Sequence, residues 1–196
     1  MRGAPEDTKL IVVPNHLVNR LRAVAGRHGV LLSSYTTEAL EEAIRIEELG
    51  SSLREAVDLY KLMQIQRGAN TVHIRRSSLD YLIKELYQAK GEELQRIWYE
   101  WGQWYGAYLR TKLKGDDVLS FFEKVLLVSW NLDEVEIRND DGEITLRCTS
   151  FTMSLESTEL VISYISGAMS SLGYEELSKD YTRGIATMHY KLGPKR

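Results

Sequence analysis

The chain has 196 residues, 43% hydrophobic and 27% charged, which is the balance of a globular protein with one sizeable domain or two small ones. Its formal net charge of −3 excludes binding to nucleic acid by bulk positive charge, although a local basic surface is compatible with it. The single cysteine, Cys148, excludes an internal disulfide framework. No apolar run approaches the ~20 residues that cross a bilayer, and residues 1–7 lack the apolar stretch of a signal peptide. These features predict a cytoplasmic protein that is not in the membrane.

Residues 9–50 have the pattern of a short strand followed by two amphipathic helices. Residues 10–13 are all apolar, and Pro14 ends the strand because proline has no N–H to donate. Apolar residues at helical spacing predict one helix over residues 15–28, which Gly29 ends, and a second over residues 32–49. A lone strand cannot pair its own backbone groups, so this unit is expected to form a homodimer through the strand.

The rest of the chain predicts a connector helix over residues 51–68 and an α+β domain over residues 69–196. A short strand is expected over residues 71–75, a helix from Ser77, a long helix over residues 92–112 and another helix ending near residue 127. Alternating residues predict a hairpin around Gly142, then a helix over residues 157–172 and a last hairpin at Gly184. The predicted fold class is α+β, with a strand-helix-helix dimerisation unit at residues 1–50 followed by a helical and antiparallel-sheet domain.

A set of residues in segment 9–46 has a recognisable spacing: Val13-Pro14, Leu17, Leu21, Ala25, Gly29 and Glu38-Ala39-Leu40. On these residues the segment resembles a ribbon-helix-helix domain, the fold of many small bacterial and archaeal repressors. The resemblance implies that two paired strands enter the major groove of double-stranded DNA and that the second helix begins at a phosphate. The implied DNA-binding residues are Thr8, Lys9, Leu10, Val12, Arg20, Ser33 and Ser34.

The strand residues implied at the groove differ from those usual in that family, which are polar or basic. Thr8 can hydrogen-bond a base, whereas Leu10 and Val12 can only contact a thymine methyl group. One interpretation is a homodimeric DNA-binding transcriptional regulator with a C-terminal domain that senses a ligand or strengthens the dimer. The alternative is a dimeric ligand-binding or scaffold protein that binds no DNA and uses the N-terminal strand only for assembly.

Most of the large aromatic residues lie in the helix predicted over residues 92–112. One interpretation is that they line a pocket for an apolar or planar ligand, and the other is that they belong to a core helix packed on the sheet. The two interpretations are compatible if the pocket opens off the core. Gly102 and Gly106, one turn apart, would let another backbone approach this helix closely. The candidate ligand-pocket residues are Trp98, Trp101, Trp104, Tyr105 and Tyr108.

The order of elements in the C-terminal part carries a second, weaker resemblance. The helix with Gly102 and Gly106, the Phe121-Phe122 helix, the hairpin at Gly142, the small-residue helix with Gly167 and the last hairpin resemble the vinyl-reductase-like domains related to TRAPP subunits. The resemblance implies binding of a hydrophobic small molecule or a partner protein. Members of that family often carry a cysteine-rich metal cluster, which this chain lacks, so no metal is expected.

Catalytic chemistry is not indicated by any motif of the sequence. The four histidines are scattered, and no nucleophile elbow, phosphate-binding loop, dinucleotide motif or zinc-protease motif occurs. The chain is therefore predicted not to be an enzyme and to need no cofactor. Arg75-Arg76 beside His73 could hold a phosphate or carboxylate or could form a solvated turn. Cys148 alternates inward with Leu146, which predicts a buried thiol.

Overall fold

The computed structural model describes residues 9–113, 117–140 and 142–193. These residues form helices α1 (Asn15–His28), α2 (Leu32–Glu48), α3 (Leu53–Gly68), α4 (Arg76–Lys112), α5 (Asp117–Ser129) and α6 (Leu155–Leu172), and strands β1 (Glu134–Asp140), β2 (Glu143–Thr149), β3 (Tyr174–Thr182) and β4 (Ile185–Leu192). Helices and one antiparallel sheet confirm the predicted α+β fold class. No helix among the described residues is long and apolar enough to cross a membrane. The chain divides into two compact units, Met1–Tyr60 and Lys61–Arg196, and the division falls within α3.

The N-terminal unit contains the two predicted helices, but the predicted strand is not formed. Helices α1 and α2 pack against each other, and Gly29 ends α1 in a left-handed conformation with φ of 68°. Residues 9–14 have no regular secondary structure in this single chain. A strand needs a neighbour that supplies backbone donors and acceptors, and one copy of this unit offers no neighbouring strand.

In the C-terminal unit, one face of a four-stranded sheet supports the core. The strand order is β1-β2-β4-β3, and every neighbouring pair is antiparallel. Both predicted hairpins are present, at Gly142 and Gly184, where φ is 93° and 72°. Helix α6 contacts α4, β3 and β4. The buried face of the two central strands consists of Ile144, Leu146, Cys148, Ala186, Met188 and Tyr190.

The region before the sheet differs from the sequence-based expectation in two ways. Residues 71–75, predicted as a strand, have no regular secondary structure, and no strand of the described sheet pairs with them. The two helices predicted on either side of Lys90-Gly91 are present but are joined across a kink into α4, where Lys90 leaves the helical conformation with φ of −138° and ψ of 25°. One deviating residue bends the helix without ending it.

Helices α4 and α6 cross at glycines, as predicted for Gly102 and Gly106. A β-carbon at Gly102 would overlap the carbonyl oxygen of Tyr164, and one at Gly106 would overlap that of Ala168. On the other helix, a β-carbon at Gly167 would overlap the carbonyl oxygen of Tyr99. The two backbones are therefore in direct contact, and this contact orients the aromatic face of α4 toward its neighbours.

Cys148 is buried on the inner face of β2, as the alternation predicted. Burial raises the pKa of its thiol to about 11, an effect partly offset by a hydrogen bond with the backbone of Ala186. A buried thiol with so little thiolate at neutral pH is a poor nucleophile.

The reactivity of Cys148 should therefore depend on folding. Against the ordinary pKa of 9.0, a pKa of about 11 lowers the thiolate fraction at mildly alkaline pH roughly 100-fold, and burial adds a steric barrier. An aromatic disulfide reagent should label the native protein at least about 100-fold more slowly than the protein in denaturant. The rate of absorbance change at about pH 8 measures this, and equal rates in both states would contradict the burial of the thiol.

Candidate functional site

A cavity of about 260 Å³ opens within the C-terminal unit. Its volume equals roughly nine water molecules, enough for one substituted aromatic ring. Side chains from α3, α4, α5, α6 and the segments 71–74 and 130–131 line it. The apolar and aromatic lining residues are Val72, Ile74, Leu79, Trp98, Trp101, Tyr105, Val125, Trp130 and Tyr164. The polar lining residues are Gln66, Thr71, His73, Arg76, Ser129 and Asn131.

The aromatic wall of the cavity is a connected cluster of rings. The centroid of the Tyr164 ring lies 4.9 Å from that of Trp130 and 5.1 Å from that of Trp101. Trp101 in turn lies 5.7 Å from Trp130 and 6.2 Å from Trp98, edge-on to the latter. These separations are those of stabilising aromatic pairs, so the wall is held rigid by its own contacts. Trp101 keeps 40% of its surface exposed and forms the rim.

Tyr164 anchors this wall from the buried helix α6. Burial raises the pKa of Tyr164 well above the ordinary value of 10.0, and a hydrogen bond with the Trp130 side chain opposes part of that rise. The phenol is therefore protonated at neutral pH. It serves as a fixed neutral surface and not as an acid or a base.

The predicted pocket residues divide into two groups on α4. Trp98, Trp101 and Tyr105 line the cavity, because positions i, i+3 and i+7 fall on one face of a helix. Trp104 and Tyr108 do not line it and lie on the adjacent stripe. Their rings stack on each other 5.3 Å apart with an interplanar angle of 5°. The Tyr108 hydroxyl donates a hydrogen bond to the Ile65 carbonyl at 3.3 Å, which directs it toward α3.

Twelve of the fifteen lining residues were not among the predicted pocket residues, and four of these twelve supply aromatic faces or polar groups used below. Trp130 follows α5, Tyr164 lies in α6, Gln66 lies near the end of α3 and Arg76 begins α4. Of these four, only Arg76 carried a sequence signal, since the Arg75-Arg76 pair beside His73 was interpreted either as a phosphate or carboxylate site or as a solvated turn. The others gave no local signal, because the fold alone brings them within reach of α4.

Several polar atoms of the lining lack a hydrogen-bond partner among the described residues. They are Gln66 Oε1, Arg76 Nε, Trp98 Nε1 and the Tyr105 hydroxyl. Gln66 and Tyr105 are each only 3% exposed. Buried polar groups are nearly always paired, so this concentration around one cavity indicates a binding site.

The predicted DNA-binding residues lie in the N-terminal unit and are exposed where the structure describes them. Lys9, Leu10 and Val12 lie in the segment before α1, and Arg20 is exposed on α1. Thr8 lies outside the described residues. Ser33 and Ser34 are exposed in the first turn of α2.

The start of α2 has no side-chain cap. Leu31 occupies the N-cap position, where no side chain accepts a hydrogen bond from the first turn. The first N–H groups of a helix have no intrahelical partner, and an uncapped start leaves them available to an anion.

Neither site brings together groups typical of metal binding. Within residues 9–113, 117–140 and 142–193, no three His, Cys, Asp or Glu side chains are close enough to hold a metal ion. The chemistry of the cavity is that of non-covalent binding: aromatic faces, one guanidinium and a few hydrogen-bonding atoms. Comparison with protein-family models, with curated proteins and with solved structures found no match to this chain.

Proposed function

We propose that this protein is a homodimeric DNA-binding transcriptional regulator whose C-terminal unit binds a small ligand. The observation that carries the proposal is the exposure of the apolar side chains of the N-terminal helix pair. Among described residues 9–60, Ala25 is the one hydrophobic residue that is buried. A domain of this size usually buries about 60% of the surface of its unfolded chain, so the unit needs a partner.

The apolar surface of the N-terminal unit fits a second copy of itself. Before α1, Ile11 and Val13, which alternate with the groove-facing Leu10 and Val12, are 67% and 38% exposed. On α2, Leu40 and Ile44 are 49% and 59% exposed and lie one turn apart. Each such side chain gains about 1.5–3 kcal/mol on full burial. A two-fold dimer would bury the same strip of both copies and would give the segment before α1 a strand to pair with.

DNA binding is supported by cationic and polar groups that this unit leaves exposed. Lys9 and Arg20 are exposed and can contact phosphates or bases, while the uncapped start of α2 offers free N–H groups to a phosphate. A net charge of −3 on the chain is compatible with these contacts, because affinity depends on the contacting surface.

Titration of the purified full-length protein with labelled DNA tests the proposal. Fluorescence anisotropy would compare the chain's own promoter region with a shuffled duplex at about 50 and about 200 mM salt. Tight binding that prefers the promoter and weakens at the higher salt concentration is expected. Absence of binding at the lower salt concentration, with a dimer confirmed in solution, would overturn the assignment of DNA binding.

Assembly gives a prediction of its own. Leu40→Lys together with Ile44→Lys should convert the dimer into a monomer, because burying two added charges in an apolar interface costs several kcal/mol. Light scattering after size exclusion measures the mass directly. The matched control is Glu41→Gln, which changes an exposed side chain on the same helix and should leave the dimer intact. A double variant that stays dimeric would place the interface elsewhere.

The second candidate function is a dimeric ligand-binding or scaffold protein that does not bind DNA. The nearly complete exposure of apolar Leu10 and Val12 favours it, since neither side chain can hydrogen-bond a base edge. The same anisotropy titration separates the two candidates. A stable dimer that binds aromatic ligands but no DNA would establish the second.

A further inference from the structure

We infer that the cavity of the C-terminal unit binds a small aromatic carboxylate, with Arg76 as the partner of the carboxylate group. The inference rests on the proposed ligand-binding role of this unit and adds the chemical class of the ligand. It is carried by the polar atoms of the lining residues that have no partner and by the distribution of charge among those residues.

The charge at the cavity is positive. Arg76 is the residue with a permanent charge among the lining side chains, and no Asp or Glu is among them. One Nη atom of its guanidinium donates a hydrogen bond to the Trp130 carbonyl oxygen at 3.4 Å, which places the cation beside the aromatic wall. Its Nε–H has no partner. A guanidinium presents parallel N–H groups that match the two oxygens of a carboxylate, and a planar anion is therefore its natural complement.

Two further unpartnered donors belong to residues that line the same cavity. The indole N–H of Trp98 and the hydroxyl of Tyr105 are buried and unpartnered. Burial raises the pKa of Tyr105, so its hydroxyl is protonated and able to donate at neutral pH. With the guanidinium they form a set of donors that an oxygen-rich group would satisfy. An apolar ligand would leave all of them without a partner, which is unfavourable.

One acceptor complements these donors and narrows the ligand class. The Gln66 side chain donates from Nε2 to the Ser129 hydroxyl oxygen, and this contact leaves its Oε1 unpartnered. An acceptor at this depth matches a hydroxyl or amino group on the ligand. The aromatic faces of Trp101, Trp130 and Tyr164 and the volume of about 260 Å³ suit a single substituted ring. A hydroxylated benzoic acid combines all these features.

Tryptophan fluorescence provides a direct readout of binding. Three of the four tryptophans of the chain, Trp98, Trp101 and Trp130, line the cavity. The probes are 4-hydroxybenzoate, its neutral analogue 4-hydroxybenzamide, and benzoate, each titrated into the full-length protein. We expect saturable quenching by 4-hydroxybenzoate and about ten-fold weaker binding of 4-hydroxybenzamide, because only the carboxylate satisfies the guanidinium. Benzoate should bind more weakly than 4-hydroxybenzoate, since it leaves Gln66 Oε1 unpartnered.

Variants of Arg76 test its role against a matched neighbour. Arg76→Gln should lower the affinity for 4-hydroxybenzoate about ten-fold or more. It should also remove the preference of the protein for 4-hydroxybenzoate over 4-hydroxybenzamide. Arg75→Gln removes the adjacent arginine, which is exposed and does not line the cavity, and should change the affinity less than about two-fold. Tyr105→Phe should lower the affinity for 4-hydroxybenzoate by a smaller factor than Arg76→Gln does. Thermal unfolding of each variant checks that it is folded. If Arg76→Gln does not fold, the ratio of the wild-type affinities for 4-hydroxybenzoate and 4-hydroxybenzamide tests the carboxylate assignment.

The outcomes separate this inference from the proposed function. If 4-hydroxybenzamide binds as tightly as 4-hydroxybenzoate, or if folded Arg76→Gln binds the acid as the wild type does, the carboxylate assignment is overturned and the pocket remains a ligand site. If none of the three probes quenches the fluorescence at millimolar concentration, the carboxylate assignment is overturned as well. The anisotropy titration with DNA tests the proposed function independently of these ligand measurements.

Discussion

Gly102→Ala is expected to destabilise the C-terminal unit by roughly 3 kcal/mol or more, among the largest effects of any single methyl group in this chain. The added β-carbon would overlap the carbonyl oxygen of Tyr164, which is backbone and cannot rotate away. Helices α4 and α6 would have to separate along their contact, and the aromatic wall formed by Trp101 and Tyr164 would open with them. Denaturant unfolding followed by tryptophan fluorescence measures the loss.

The control for Gly102→Ala is a substitution of similar size on the same helix. Ala107→Ser changes an exposed position of α4 and should alter the free energy of unfolding by no more than about 0.5 kcal/mol. Gly26→Ala gives a second comparison, because a β-carbon at Gly26 meets nothing within 4 Å and α1 gains helix propensity. If Gly102→Ala unfolds at the same denaturant concentration as the wild type, the close crossing of α4 and α6 is not present in solution.

The triple variant Thr8→Ala, Lys9→Ala and Arg20→Ala should lose about 100-fold or more in affinity for promoter DNA while remaining dimeric. The two cations would contribute phosphate contacts, and the hydroxyl of Thr8 would contribute the one hydrogen bond to a base that the groove-facing residues can make. Removing two phosphate contacts from each copy, four in the dimer, should also lower the slope of log affinity against log salt by about 3.6. Anisotropy titrations over a range of salt concentrations measure both quantities.

A matched triple variant controls for charge and composition. Thr37→Ala, Arg54→Ala and Lys61→Ala remove one hydroxyl and two cations from exposed positions not expected to contact DNA. This variant should bind within about three-fold of the wild type. Equal losses in the two triple variants would show that any affinity arises from bulk charge and not from the segment before α1.

Taken together, the proposals assign the two units different tasks. The N-terminal unit would supply assembly and DNA binding through surfaces that a single copy leaves exposed, above all Leu40, Ile44 and the segment before α1. The C-terminal unit would supply ligand recognition in a cavity that is already formed, with Arg76 positioned at its wall. Each task has its own measurement, so one can fail without the other.

Local features of the fold were predictable from the sequence. Gly29 and Gly184 stand where the backbone needs a positive φ, so the end of α1 and the last hairpin could be located from those residues. The alternation through Leu146 and Cys148 predicted which face of β2 is buried. Gly102 and Gly106 predicted a close backbone contact on α4. Each of these predictions depends on interactions between residues close in sequence or on the regular spacing of residues along one helix or strand.

The features that the sequence left open depend on residues far apart in the chain or on a second chain. Whether residues 9–14 become a strand is decided by a partner strand, because backbone pairing is not a property of one segment. The sequence could not show that Trp98 and Trp101 line a cavity with Trp130 and Tyr164, or that Trp104 does not. Helical spacing predicts which residues share a face of α4 but not which elements pack against that face.

The composition of the ligand pocket was decided by tertiary structure alone. Gln66, Arg76, Tyr105 and Tyr164 come from three different helices, and they line one cavity only because α3, α4 and α6 are packed around it. The sequence by itself determined the helices, the hairpins and the glycine contact, since local hydrogen bonding and steric freedom fix these. The tertiary structure decided where packing leaves a gap and which polar atoms border it, because a cavity belongs to the arrangement of elements and not to any one of them.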